Sequence, residues 1–121
     1  MKFIFDECIS SRIAQALQAL GEQAVSSADQ WGKGALDLEW IPLAGKQGCC
    51  VVTADRLKRH ERAALTQHDG RIFLLAVKNI GFWDQVRLVI NRWPEIKAMA
   101  DNLRPPFMVR VTARGKPERI I

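Results

Sequence analysis

The sequence predicts an α/β fold: a mostly parallel central sheet of four to five strands, helices on both faces, and a C-terminal edge strand. Three observations lead there. Short apolar runs rich in strand formers alternate with amphipathic helical segments, in the order β-α-β-α-β-α-β-α. The runs are almost continuously apolar, as strands must be when a parallel sheet is covered on both sides. At 121 residues, with 48% hydrophobic and 26% charged side chains, the chain has the size and composition of one domain with its own core. No linker or internal repeat interrupts it. It therefore reads as a single domain over 1–121, with a core over 1–103 and a C-terminal strand and basic tail over 104–121.

The first strand is predicted at residues 2–5 and ends at the acidic pair Asp6–Glu7. A helix follows from Ser10–Ser11 to Gly21, with apolar positions 13, 14, 17 and 20 at helical spacing, a serine N-cap and a glycine at its end. Residues 23–27 form a weaker second strand. Residues 29–36, with two glycines, read as a loop. A second helix is expected over 36–47, although Pro42 would remove one of its hydrogen bonds. The clearest buried strand is Gly48–Thr53, followed directly by Ala54-Asp55-Arg56, and a basic helical segment occupies 56–67. Another buried strand covers 71–77. A long amphipathic helix spans 82–102, with a bend or break expected before Pro94. After Pro105–Pro106, residues 107–113 alternate apolar and polar as an edge strand would.

Composition excludes several classes. No apolar run approaches the roughly 20 residues that span a bilayer, and the opening strand reaches an acid too soon for a signal-peptide core. Cys8, Cys49 and Cys50 lack zinc-like spacing, and the adjacent pair lies in an apolar run. A cytoplasmic, membrane-free protein fits these features. The net charge of +5 favours polyanionic partners.

Right-handed crossovers place the carboxyl end of every parallel strand on one sheet edge, where open α/β sheets bind ligands. Asp6 follows the first strand, Asp55 follows the third, and Asp37 opens the second helix towards the same edge. Clustered carboxylates raise each other's pKa unless a cation compensates, and an oxygen-only set suits Mg²⁺ or Mn²⁺. Glu39 competes with Asp37, since residues two apart on a helix do not share a face. Glu7 and Thr53 are candidates for supporting a neighbouring carboxylate. Arg56, Lys58, Arg59 and Arg62 would rim the site and contact phosphates, and Trp31, in its Gly-flanked loop, is the best candidate for base stacking. Arg110, Arg114, Lys116 and Arg119 form a second basic group, suited to nucleic acid or to a protein partner. His60 and His68 are not needed for this chemistry.

Phe5-Asp6-Glu7, Gly34-Ala35-Leu36-Asp37-Leu38-Glu39 and Val51-Val52-Thr53-Ala54-Asp55-Arg56, in that order and spacing, resemble the PIN-like superfamily, especially its short toxin-related (VapC-like) branch. The resemblance covers roughly residues 1–80. It implies a Mg²⁺- or Mn²⁺-dependent endoribonuclease acting on RNA, the toxin of a type II toxin–antitoxin pair with a cognate antitoxin, and a homodimer, for which the long helix at 82–102 offers an apolar face. It also implies that Asp6, Asp37 and Asp55 form the acidic site. Two positions depart from the pattern. Cys8 stands where the branch usually has Asn, and Ala76-Val77-Lys78-Asn79 stands where a fourth acid is common, leaving Asn79 as a substitute oxygen donor. Two other readings are open. One is a receiver-like domain with Asp55 as phospho-acceptor and Lys78 as its cation; the other is a PIN-like binding module with weak or no catalysis.

Overall fold

In the computed structural model, which describes residues 1–121, the chain runs β1 (Phe3–Phe5), α1 (Ser11–Ala19), β2 (Ala24–Ser26), α2 (Ser27–Trp31), α3 (Asp37–Gln47), β3 (Cys50–Thr53), α4 (Arg59–Gln67), β4 (Arg71–Leu75), α5 (Phe82–Asn102), β5 (Phe107–Val111) and β6 (Glu118–Arg119). The six strands form one sheet in the order β2-β1-β3-β4-β5-β6. The first five are parallel to their neighbours, and β6 is antiparallel to β5.

Alternation along each strand divides the core in two. Phe3 and Phe5, Cys50 and Val52, Phe73 and Leu75, and Phe107, Val109 and Val111 face one way, against Ile13, Ala14 and Leu17 of α1 and Leu88, Val89, Trp93, Ile96 and Ala100 of α5. Val51, Ile72, Leu74 and Met108 face the other way, against Trp40, Ile41 and Ala44 of α3 and Leu65 of α4. Each fully buried Phe, Leu or Ile side chain contributes roughly 1.5–3 kcal/mol over its exposed state. Both faces of the sheet are therefore sealed, as the continuous apolar runs required.

Several elements differ from the sequence expectation. Residues 27–31, partly within the expected loop, form the short helix α2, whose N-cap Ser26 accepts a hydrogen bond from the Asp29 N–H. Neither proline breaks its helix: α3 runs through Pro42 and α5 through Pro94. Each ring removes the N–H that would bond four residues back. The carbonyls so released belong to Leu38 and Ile90, both exposed residues, where water can take them. The strand expected over 107–113 is β5, and it lies inside the sheet because β6 covers its free side. The apolar face of α5, expected to be available for dimerisation, is spent within the chain's own core. No helix is long and apolar enough to cross a membrane.

Candidate functional site

The strand order creates a crevice. The connection from β1 to β2 passes through α1 on one face, whereas that from β2 to β3 passes through α3 on the other. The carboxyl ends of β1 and β3 lie side by side where the winding reverses, the usual ligand position in a doubly wound sheet. A cleft of about 930 Å³ opens there.

Register places the acids. Phe5 pairs with Val52, so Asp6 and Thr53 are the next pair along the ladder, and the Asp6 N–H donates to the Val52 carbonyl at 2.9 Å. The buried Thr53 hydroxyl donates to Asp6 Oδ2 at 2.9 Å and accepts the Asp55 N–H at 3.1 Å. One hydroxyl thus ties both strand-end carboxylate residues together. Cys8 joins them: its sulfur accepts the Ala54 N–H at 3.2 Å and lies 3.5 Å from Thr53 Oγ1. Donor atoms of Asp6, Cys8 and Asp55 all fall within 4.8 Å of one another, close enough to share one ion. Asp55 also pairs with Lys78 Nζ at 3.1 Å, and both side chains are about half exposed or more.

Asp37, in the first turn of α3, lines the same cleft but stands outside that tight group. Its carboxylate accepts the Trp40 indole N–H at 2.9 Å and shares a side-chain hydrogen bond with Glu61. Burial, then the hydrogen bond and negative charge of Glu61, push the Asp37 carboxyl up to about 6. Glu61 was not anticipated. It is 8% exposed, and its Oε1 also accepts the Lys58 N–H at 2.6 Å, capping α4. The one available signal was its place three residues after Lys58, the spacing at which a Glu reaches back to cap a helix.

The remaining candidates separate. Glu39 is exposed and turns back to the Leu36 N–H at 3.4 Å, away from the cleft lining, so Asp37 is the α3 acid that faces the cleft. Glu7 lines the cleft and holds the 32–36 loop by accepting the Gly34 N–H at 2.7 Å. Asn79 lies in a left-handed turn (φ 64°) outside the lining, where Lys78 takes its place. Arg56 and Lys58 line the cleft, as do His60 and Arg110; Arg59 does not, and Arg62 lines a neighbouring cavity. Trp31 is not an exposed platform. It stacks on Trp40 at 5.8 Å between ring centroids and packs against the α3/α4 side of the core.

The donor set fits a divalent cation: two hard carboxylates and one thiol converge, with the Asp37 carboxylate lining the same cleft beside cationic side chains. Residues 1–77, from β1 through the end of β4, match the family model described as a PIN like domain. No curated protein and no solved structure gives a significant match. The match spans well over half the chain and includes Asp6, Asp37, Asp55 and Glu61, and so the chain belongs to the PIN-like domain family.

Proposed function

We propose that this protein is a divalent-metal-dependent endoribonuclease that uses Mg²⁺ or Mn²⁺ to cleave RNA phosphodiesters in the cleft at the ends of β1 and β3. The observation that carries the reading is the convergence of Asp6 and Asp55 on one point, held by a buried hydroxyl, in a family whose members are generally nucleases. When bound, the ion would activate a water and stabilise the leaving oxygen of an in-line displacement. Asp6 and Asp55 would hold it, with Asp37 as a further oxygen donor once its proton leaves. Thr53 fixes the Asp6 carboxylate, and the Trp40 indole N–H holds that of Asp37. Lys78, Arg56, Lys58 and Arg110 offset the repulsion between the acids and a phosphodiester. Lys78 can exchange its carboxylate for a phosphate, because its exposed pair with Asp55 is worth little by itself.

The resemblance to the toxin-related branch extends the proposal to a cytoplasmic type II toxin with a cognate antitoxin and a homodimeric assembly. The experiment is cleavage of a labelled single-stranded RNA with Mg²⁺ or Mn²⁺, by the wild type and by Asp6→Asn and Asp55→Asn. Loss in both variants supports the proposal; metal-dependent cleavage surviving both would refute it.

A second reading draws on the Lys78–Asp55 ion pair, which a phospho-acceptor site also uses. It is weakened by Ala76, which stands after β4 where a hydroxyl side chain would be needed. Labelling of Asp55 by acetyl phosphate would establish that reading instead. If neither labelling nor cleavage occurs and RNA still binds, the chain is a binding module.

A further inference from the structure

Two basic groups far apart in the sequence meet in space. Arg110 is the exposed residue of β5, on the face shared with Met108 and opposite that of Val109 and Val111. Its register partner on β4 is Leu74, near the strand end where the cleft opens. A second cavity of about 220 Å³ lies there, floored by Leu74 and Met108 and walled by Arg56, Arg62 and Arg110, with Glu118 at one side. Arg56, Leu74 and Arg110 line both this cavity and the acidic cleft, so the two are continuous.

The charges here are uncommitted. The chain's ion pairs engage Lys78, Arg87, Arg92 and Lys97, and no hydrogen bond or ion pair engages the side chains of Arg56, Arg62 or Arg110. Glu118 faces Arg110 across the β5–β6 ladder without forming a salt bridge. Three guanidinium groups therefore face one acid around a small hollow. Guanidinium is the side-chain group whose planar donors match phosphate oxygens in pairs. Arg110 comes from β5, beyond the residues matched by the family, so this hollow joins two arginines of the matched portion to one from the C-terminal portion.

We propose that Arg56, Arg62 and Arg110 form a subsite for a backbone phosphate of the RNA strand next to the one cleaved. The strand enters or leaves the acidic cleft across Arg56 and Arg110 and is held at the second cavity by Arg62. This rests on the nuclease reading for the identity of the scissile position. The subsite contacts phosphate only, so it sets affinity and strand direction without reading sequence.

The test is equilibrium binding of a fluorescent 12-nucleotide single-stranded RNA to an Asp55→Asn background, with and without Arg62→Ala and Arg110→Ala together, at several salt concentrations. Both arginines are exposed and unbonded, so the variants should fold, and melting curves of each check this. Losing this one phosphate contact weakens binding about fivefold at 0.1 M salt and lowers the log–log salt slope by about 0.7, the contribution of one contact to a single strand. Affinity within twofold and an unchanged slope would overturn the subsite. Poly-glutamate binding as tightly as RNA, with the same sensitivity to the two substitutions, would overturn the nucleic-acid assignment in favour of an acidic protein. Wild-type cleavage of the same RNA with Mn²⁺, measured alongside, separates the two proposals. Cleavage with an unchanged slope rejects only the subsite, and an altered slope without cleavage rejects only the nuclease.

Discussion

The Thr53 hydroxyl spans the β1–β3 junction, donating to Asp6 Oδ2 at 2.9 Å while accepting the Asp55 N–H at 3.1 Å. A single buried side chain therefore orients one carboxylate and fixes the backbone of the other. Thr53→Val keeps the shape and removes both bonds. Groups that orient a metal-binding side chain typically change affinity or activity by about 10- to 100-fold when lost. Mn²⁺ affinity of Thr53→Val, measured by calorimetry, is expected to fall in that range. An affinity within twofold of wild type would show that the hydroxyl only serves the strand.

Asp37 gives a dependence on pH. Its carboxyl rises from an ordinary value of 3.8 to about 6, through burial and the neighbouring Glu61. Between those values the folded chain holds a proton that the unfolded chain has released, so ionising Asp37 costs stability as pH rises from about 4 through 6. Asp37→Asn removes that cost. Without added metal at pH 7.5, the variant should be more stable by about 1 kcal/mol, after allowing for partial solvent screening of the pair. At pH 4 the two proteins should melt together. A lower melting temperature for Asp37→Asn at pH 7.5 would contradict this.

Cys8 is the only cysteine at the surface, although its sulfur is tucked against the Ala54 N–H. Burial is the main reason its thiol is raised above the ordinary value, and the carboxylates of Asp6 and Asp55 add to it. Native protein should therefore react with a disulfide reagent at one thiol, more slowly than free cysteine, and at three thiols when denatured. Saturating Mn²⁺ should slow the native reaction further. A rate indifferent to Mn²⁺ would place the ion away from Cys8.

Gly45 marks a close approach between α3 and the end of α4, because a Cβ there would overlap the His68 carbonyl. The backbone must move for Gly45→Ala to fold. Overpacking of this kind costs about 1–3 kcal/mol, and thermal unfolding should show it. Glu61 lies on the helix that would shift, so the Asp37–Glu61 contact should loosen as well. Unchanged stability would mean that α4 is free to slide.

What the sequence disclosed follows from how its signals are encoded. Apolar runs at Phe3–Phe5, Cys50–Thr53 and Arg71–Leu75 announce buried parallel strands, and the acids directly after the first two announce the site, because local sequence fixes both. Glu61 was hidden because its role depends on α4 packing beside α3, and its local appearance is that of a capping residue on a basic helix. The choice between Asp37 and Glu39 was likewise settled by which side of α3 is buried. Trp31 misled for the same reason: its stacking on Trp40 depends on the short helix α2, which five residues without strong periodicity do not signal. Arg110 joins Arg56 only once β5 lies beside β4, a pairing of residues 36 positions apart in the chain.

The central claim is that Asp6 and Asp55 hold a divalent ion together. Titrating Mn²⁺ into the protein while following free Mn²⁺ by electron paramagnetic resonance tests it most directly. The account predicts saturable uptake by the wild type, with affinity falling at least tenfold in Asp6→Asn and in Asp55→Asn while both variants remain folded. No uptake by the wild type at millimolar Mn²⁺, or uptake unchanged in both variants, would contradict it.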